Sequence, residues 1–349
     1  MTGNNLEVFT SSNALFEQMI HDIEEADSSC HMQFYIWQSG GRVDAVAQAL
    51  CRAAKRGVTC RVLVDSIGSR SFIRSPQAEM MRSAGIKVLE SLQAGLIKAF
   101  FARIDIRNHR KLVIIDGTIA YTGSQNMVDP AHFKQDEGVG RWVDIMLRIR
   151  GPVVESLAGT FCNDWFLETD TDHSKIRALK EDISRIRQIA DVYPIEAKGN
   201  IAIQAVPSGP GLVPDAIHKL LITAIYSARK ELIVTTPYFV PDDLLLTALK
   251  SASEKGVDVR LVLPKKNNSK LVHFASQAHF EDLMRAGVKI FLFTDGLLHA
   301  KTITIDGELT LLGSVNLDMR SFWLNFELTL LIYCHIFTEE IRNQQLTYQ

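Results

Sequence analysis

The sequence predicts an α/β fold built twice, each half a mixed β-sheet flanked by helices. Three observations predict it. A composite motif occurs twice: residues 109–126 read H-R-K-L-V-I-I-D-G-T-I-A-Y-T-G-S-Q-N, and residues 299–316 read H-A-K-T-I-T-I-D-G-E-L-T-L-L-G-S-V-N. Ahead of each copy, strand-like and helix-like stretches alternate in the same order, as in a sheet with helices covering its faces. The halves also share phrases, A-A-K-R-G-V-T-C-R-V-L-V beside A-S-E-K-G-V-D-V-R-L-V-L, and self-similarity on this scale marks a repeated unit.

In the first half, residues 15–26 have the apolar spacing of an amphipathic helix and 32–37 (M-Q-F-Y-I-W) of a strand. A helix over 45–56 is stopped by Gly57, and 59–64 is the next strand. The second half repeats this with a helix over 216–228 and a strand over 231–238. A helix over 244–255 then stops at Gly256, and a strand follows over 257–263. M-R-S-A-G-I-K-V at 81–88 parallels M-R-A-G-V-K-I at 284–290, each a helix end feeding a strand. The expected domains are 1–167, a charged connector over 168–200 with a helix within 175–189, and 201–349. Pro207-Ser208-Gly209-Pro210-Gly211 is expected as a loop opening the second half, without phosphate-loop spacing.

A chain of 349 residues suggests two domains or one large duplicated unit, long enough for substantial cores. Hydrophobic residues at 46% and charged residues at 22% are ordinary for a globular protein. The net charge of -2 gives no global basic footprint, which weighs against a dedicated nucleic-acid binder. Cys30, Cys51, Cys60, Cys162 and Cys334 are odd in number and scattered, favouring a reducing compartment and no zinc site. No run approaches the roughly 18 apolar residues of a membrane span, and residues 1–8 lack the pattern of a signal peptide.

The repeated motif carries the chemistry. In a strand, alternate residues share a face, so His109, Lys111, Val113 and Ile115 point one way, as do His299, Lys301, Ile303 and Ile305. Asp116 and Asp306 fall on the opposite parity at the strand end, where Asp-Gly between apolar runs marks a hairpin. The return strands bring Ser124 and Asn126, and Ser314 and Asn316, towards the His end. Two such half-sites suit a phosphodiester at a pseudo-twofold site. One neutral His attacks phosphorus while the other, protonated, donates to the departing alkoxide. Lys111 and Lys301 neutralise the non-bridging oxygens, and Ser124, Asn126, Ser314 and Asn316 donate hydrogen bonds to them, so the chemistry calls for no metal or cofactor. Downstream, W-V-D-I-M-L and N-F-E-L-T-L place Asp144 and Glu327 at equivalent positions, as acids that orient the histidines.

These residues resemble the phospholipase D superfamily, whose signature is a paired H-x-K-x4-D with Gly-Ser-x-Asn. F-Y-I-W-Q-S-G-G (34–41), T-G-S-Q-N-M-V-D-P (122–130), T-P-Y-F-V-P-D-D (236–243) and G-S-V-N-L-D-M-R-S-F-W-L-N-F-E (313–327) are similar, more narrowly, to the bacterial cardiolipin synthases. The resemblance runs from about residue 6 to the C-terminus. It implies a duplicated phospholipase D-like fold with one active site between the halves, formed by His109, Lys111, Asp116, His299, Lys301 and Asp306. The implied reaction is phosphatidyl transfer between two phosphatidylglycerol molecules, giving cardiolipin and glycerol through a phosphohistidine on His109, with His299 as the acid. The strand parity of Asp116 and Asp306 makes them positional.

Family members carry N-terminal transmembrane helices and a longer C-terminal tail, so this chain reads as a truncated or short form. The expected partners are phosphatidylglycerol and an anionic membrane surface, at the cytoplasmic face of the bacterial inner membrane, with no nucleic acid. Residues 94–108 mix apolar residues at helical spacing with Lys98, Arg103 and Arg107, which suits an interfacial helix. Rival readings are a hydrolytic phospholipase D or nuclease on the same scaffold, and an inactive lipid-binding remnant. The remnant would have lost a His or Lys, and none is lost.

Overall fold

A computed structural model describes residues 1–92, 105–169, 192–211 and 215–349. The helix expected within 175–189 and most of the interfacial segment expected at 94–108 lie outside them. The chain divides into two compact units. The first comprises 1–122, 126–132 and 146–201, and the second 123–125, 133–145 and 202–349. Residues 123–125 and 133–145, which the sequence reading assigned to the first half, thus count with the second unit.

The first unit is built on strands β1 (Asn5–Phe9), β2 (Ser29–Phe34), β3 (Thr59–Asp65), β4 (Lys87–Ser91), β6 (Leu112–Ile115), β7 (Ile119–Gly123) and β9 (Met146–Arg150). A two-residue β5 (Arg107–Asn108) precedes the first motif, and β8 (Trp142–Val143) precedes β9. The sheet order is β1-β9-β7-β6-β2-β3-β4. β2, β3 and β4 pair in parallel, whereas β6 meets β2 and β7 antiparallel, so the sheet is mixed. Helices α1 (Ser12–Glu24), α2 (Arg42–Lys55), α3 (Arg70–Ile73), α4 (Pro76–Ser83) and α5 (Val153–Thr169) accompany it. Leu15, Phe16 and Met19 of α1 and Val46 and Leu50 of α2 share a core with Met32, Val62 and Val113. The expected strand at 32–37 ends at Phe34 because Ile36 and Trp37 give their amides to Asn126 and Ser69 side chains.

The second unit repeats the design with β10 (Ala202–Ser208), β11 (Glu231–Thr235), β12 (Phe239–Val240), β13 (Asp258–Pro264), β14 (Lys289–Phe293), β15 (Leu297–Leu298), β16 (Thr302–Ile305), β17 (Leu309–Gly313), β18 (Leu317–Asp318) and β19 (Asn325–Tyr333). The main sheet follows β10-β19-β17-β16-β11-β13-β14. Position for position this is the order of the first sheet. Its helices are α6 (Ala216–Ser227), α7 (Asp243–Glu254), α8 (Lys270–Gln277), α9 (Phe280–Arg285), α10 (Met319–Trp323) and α11 (His335–Thr347). Gly57 and Gly256 follow α2 and α7 with φ of +99° and +93°, the left-handed conformation that ends a helix after its last turn.

Two expectations are corrected. Pro207 and Ser208 belong to β10, opposite Leu328 and Glu327. Pro207 tolerates a sheet position because β10 is an edge strand, where one missing donor leaves no gap in a ladder. Residues 168 and 169, expected in the connector, belong to α5 (Val153–Thr169), and the expected connector is pinned near its far end. Lys198 and Gly199 donate to the Gly3 carbonyl at 2.8 and 3.1 Å.

Candidate active site

Both Asp-Gly turns are hairpin turns. Asp116 and Gly117 have φ of +50° and +62°, and Asp306 and Gly307 have +54° and +72°, the paired positive values of a primed turn. Asp tolerates this conformation because its short carboxylate bonds locally. The Asp116 carboxylate accepts the backbone N–H groups of Asp27, Ser28 and Ser29 at 2.8–3.0 Å, with the Ser28 hydroxyl at 3.0 Å. Asp306 accepts those of Arg229, Lys230 and Glu231, the closest at 2.7 Å. Burial raises the Asp116 pKa, but the donors from Ser29, Asp27 and Ser28 outweigh it and hold the carboxyl below its usual range. Each Asp clamps the entry to the first central strand of its sheet at the end opposite the His.

At the other end both lysines are buried. Lys111 Nζ donates to its own motif's His109 carbonyl at 2.5 Å, and Lys301 Nζ to that of His299 at 2.6 Å. Burial pushes the Lys301 ammonium down to about 8, against the attraction of Asp144, Glu327 and Asp318. In the first unit the Tyr35 ring meets His109 edge-on at 5.0 Å and lies 5.7 Å from the Lys111 ammonium.

In the second unit β8 and β15 pair in parallel, Trp142 opposite Leu297 and Val143 opposite Leu298. The Val143 carbonyl accepts the amides of His299 and Ala300 at 2.7 and 2.9 Å. That two-residue ladder sets Asp144 against the motif histidine: Asp144 Oδ1 lies 2.6 Å from His299 Nδ1. The acid therefore serves the histidine of the other sequence repeat. Burial raises the Asp144 pKa, yet His299, Lys301 and the Ser124 hydroxyl together hold it below the usual carboxylate range.

Ser124 and Ser314 correct the expectation that they donate to phosphate. Ser124 Oγ gives its hydrogen to Asp144 Oδ1 at 2.6 Å and accepts the Ile145 amide at 3.0 Å. Ser314 does the same for Glu327 Oε2 at 2.5 Å and the Leu328 amide at 2.9 Å. A hydroxyl has one proton to give, so both serines position acids. Asn325 adds a donor to Glu327 at 3.1 Å. Asn126 Oδ1 accepts the Ile36 amide at 3.1 Å, while the Asn316 amide donates to Ser321 Oγ at 3.2 Å.

Sequence reasoning passed over Tyr35 and Trp142. The Trp142 ring lies 4.4 Å from His299. Among the described residues its Nε1 and Gln125 Nε2 are buried donors with no hydrogen-bond partner, so both are available to an anionic oxygen. The signal for Trp142 was its place two residues before Asp144. Among the described residues, no three His, Cys, Asp or Glu side chains converge to hold a metal ion, and no helix is long and apolar enough to cross a membrane.

A family described as cardiolipin synthase, phospholipase D-like domain, matches residues 19–165 and 221–346. The chain belongs to this family. It is 50% identical over 330 residues to cardiolipin synthase A of Edwardsiella ictaluri and, equally, to that of Klebsiella pneumoniae. Each alignment covers 95% of this chain and 66% of the relative, so the chain spans slightly under two thirds of these relatives' length. In structure it is similar to phosphatidylserine synthase of Haemophilus influenzae, with a TM-score of 0.68 at 16% identity over 98% of this chain and 86% of that one. That likeness supports the duplicated phospholipase D-like fold.

Proposed function

We propose that this family member is a phosphatidyltransferase that joins two phosphatidylglycerol molecules into cardiolipin and releases glycerol. The observation that supports it most is the 50% identity to cardiolipin synthases across 330 residues with both His-Lys pairs intact. In this reading both motifs serve one phosphodiester. His109 attacks phosphorus, the P–O bond to glycerol breaks, and His299 Nε2 gives its proton to the departing alkoxide. The phosphatidyl group then rests on His109. A hydroxyl of the second phosphatidylglycerol attacks it, returning its proton to His299 as the bond to His109 breaks.

The Asp144 carboxylate 2.6 Å from His299 Nδ1 favours the protonated imidazole, which suits the proton donor. Lys111 and Lys301 offset charge on the non-bridging oxygens, with Asn126, Asn316, Gln125 and Trp142 as candidate partners. Asp116 and Asp306 hold the strands that carry these groups. Such a substrate places the protein at an anionic membrane surface, on the cytoplasmic face of the bacterial inner membrane.

Purified protein given labelled phosphatidylglycerol should form cardiolipin and glycerol in equal amounts, with a metal chelator present. Phosphatidate as the main product would replace the transferase with a hydrolase. Complete loss of activity in chelator would end the metal-free mechanism.

A further inference from the structure

The second unit exposes a basic, apolar helix on the same sheet edge as its catalytic residues. β16 runs antiparallel to β11 with Thr302 opposite Thr235, so Lys301 and His299 lie beyond the C-terminal end of β11. β13 is parallel to β11, with Val262 opposite Thr235, and Lys265 follows its last residue. α8 begins five residues later, capped by Ser269, whose side chain accepts the Val272 amide. Asn267 donates to the Pro237 carbonyl at 2.8 Å, and the Tyr238 hydroxyl donates to Asn268 at 2.9 Å. These bonds, with packing of α8 on β12, tie the helix to the loop after β11.

What α8 turns outward is unusual. Leu271 is 81% exposed and Phe274 67%, at helical spacing, so they share a face. Leu292, also exposed, shares a small cavity with His273 and Lys265. Lys265, Lys266 and Lys270, in and just before the helix, are exposed as well. From Val259 to Phe280 the chain has no carboxylate, although it carries 40 in all and a net charge of -2. Exposed apolar side chains beside lysines in a stretch without carboxylates suit a surface with hydrocarbon below and negative charge above. Two copies meeting through this patch would set lysine against lysine, since a twofold contact pairs a surface with itself.

We propose that α8, with Lys265 and Lys266 before it, is an interfacial element that seats the catalytic edge of this unit on an anionic lipid surface. The inference rests on the reading of the substrate as a membrane phospholipid. Phe274 and Leu271 enter the headgroup and acyl boundary while the lysines stay among the headgroups.

The test is sedimentation with phosphatidylcholine vesicles, with and without phosphatidylserine, an anionic lipid outside the proposed substrate class. The parent should bind only the anionic vesicles. Leu271→Ser with Phe274→Ser should weaken that binding about tenfold or more. Lys265→Gln, Lys266→Gln and Lys270→Gln together should weaken it by about a hundredfold, roughly fivefold per lysine. Both variants should keep the parent's melting temperature and its turnover of dispersed, short-chain phosphatidylglycerol. Unchanged vesicle binding in the lysine variant, which removes no packing, would overturn the proposal. So would a parent dimer that the Leu271/Phe274 variant converts to monomer, since the face would then join two copies. If the parent binds as expected but leaves short-chain phosphatidylglycerol intact, the substrate reading fails and the docking face stands.

Discussion

Lys301 gives the most direct pH test, because burial pushes its ammonium down to about 8 from its ordinary 10.5. Under the proposed mechanism turnover should fall as pH rises through about 8, when this charge is lost. Stability should move the other way. Between about 8 and 10.5 the unfolded chain holds the extra proton, so folding stability rises with pH across that window. Denaturant titrations at several pH values should find this rise in the parent and its loss in Lys301→Met. The same rise in the variant would assign it to another group. Asp144 gives a slope of the same sign at acid pH: its depressed pKa contributes stability that is fully present above the ordinary carboxylate range and is lost as pH falls through the folded value. Ser124→Ala removes the hydroxyl that donates to Asp144 and should cost about 1–3 kcal/mol of stability. Turnover should fall with it, as His299 loses a fixed partner. Unchanged kinetics in a folded Ser124→Ala protein would remove the serine from the positioning chain.

The turns and the strands they join give a different class of test. Asp116 and Asp306 bind backbone amides at the hairpin end, far along the strand from His109 and His299. Asp306→Ala should cost about 2–3 kcal/mol by leaving amides without a charged acceptor, and the folded fraction should keep the parent's pH–rate profile. A stable Asp306→Ala protein with no turnover would make the carboxylate chemical after all. In the first unit Arg110 meets Asp164 at 2.5 and 2.6 Å, and Gln33 joins the same carboxylate at 2.6 Å. Arg110→Met alone should cost about 3–5 kcal/mol by stranding Asp164, and Arg110→Met with Asp164→Leu should recover most of it. Chemical denaturation of both variants measures this; equal losses would show that the pair is not coupled. These elements also mark what sequence can disclose. The Asp-Gly hairpins and the glycine stops were legible because one residue's backbone freedom decides each. The crossed service of His299 by Asp144 was not, because it rests on the two-residue pairing of β8 with β15, too short to leave a period. β10 was hidden by a Pro-Gly-rich end that reads as loop, though an edge strand tolerates it.

At the scale of the molecule, duplication is the device: the two sheets share one order, and the two motifs share one set of local bonds. It doubles the His-Lys pair, and the proposed chemistry then needs the two histidines in opposite protonation states. Turnover should follow a bell-shaped pH profile whose limbs belong to the coupled set and not to one residue. His109→Ala and His299→Ala should each abolish it, and Lys111→Arg or Lys301→Arg should restore it only in part, since guanidinium and ammonium differ in geometry. The measurement closest to the central claim is mass spectrometry of protein quenched early in its reaction with phosphatidylglycerol. A phosphatidyl adduct on His109, cleared as cardiolipin appears, is the predicted result; adduct on His299 alone, or turnover with no adduct on either histidine, would contradict it.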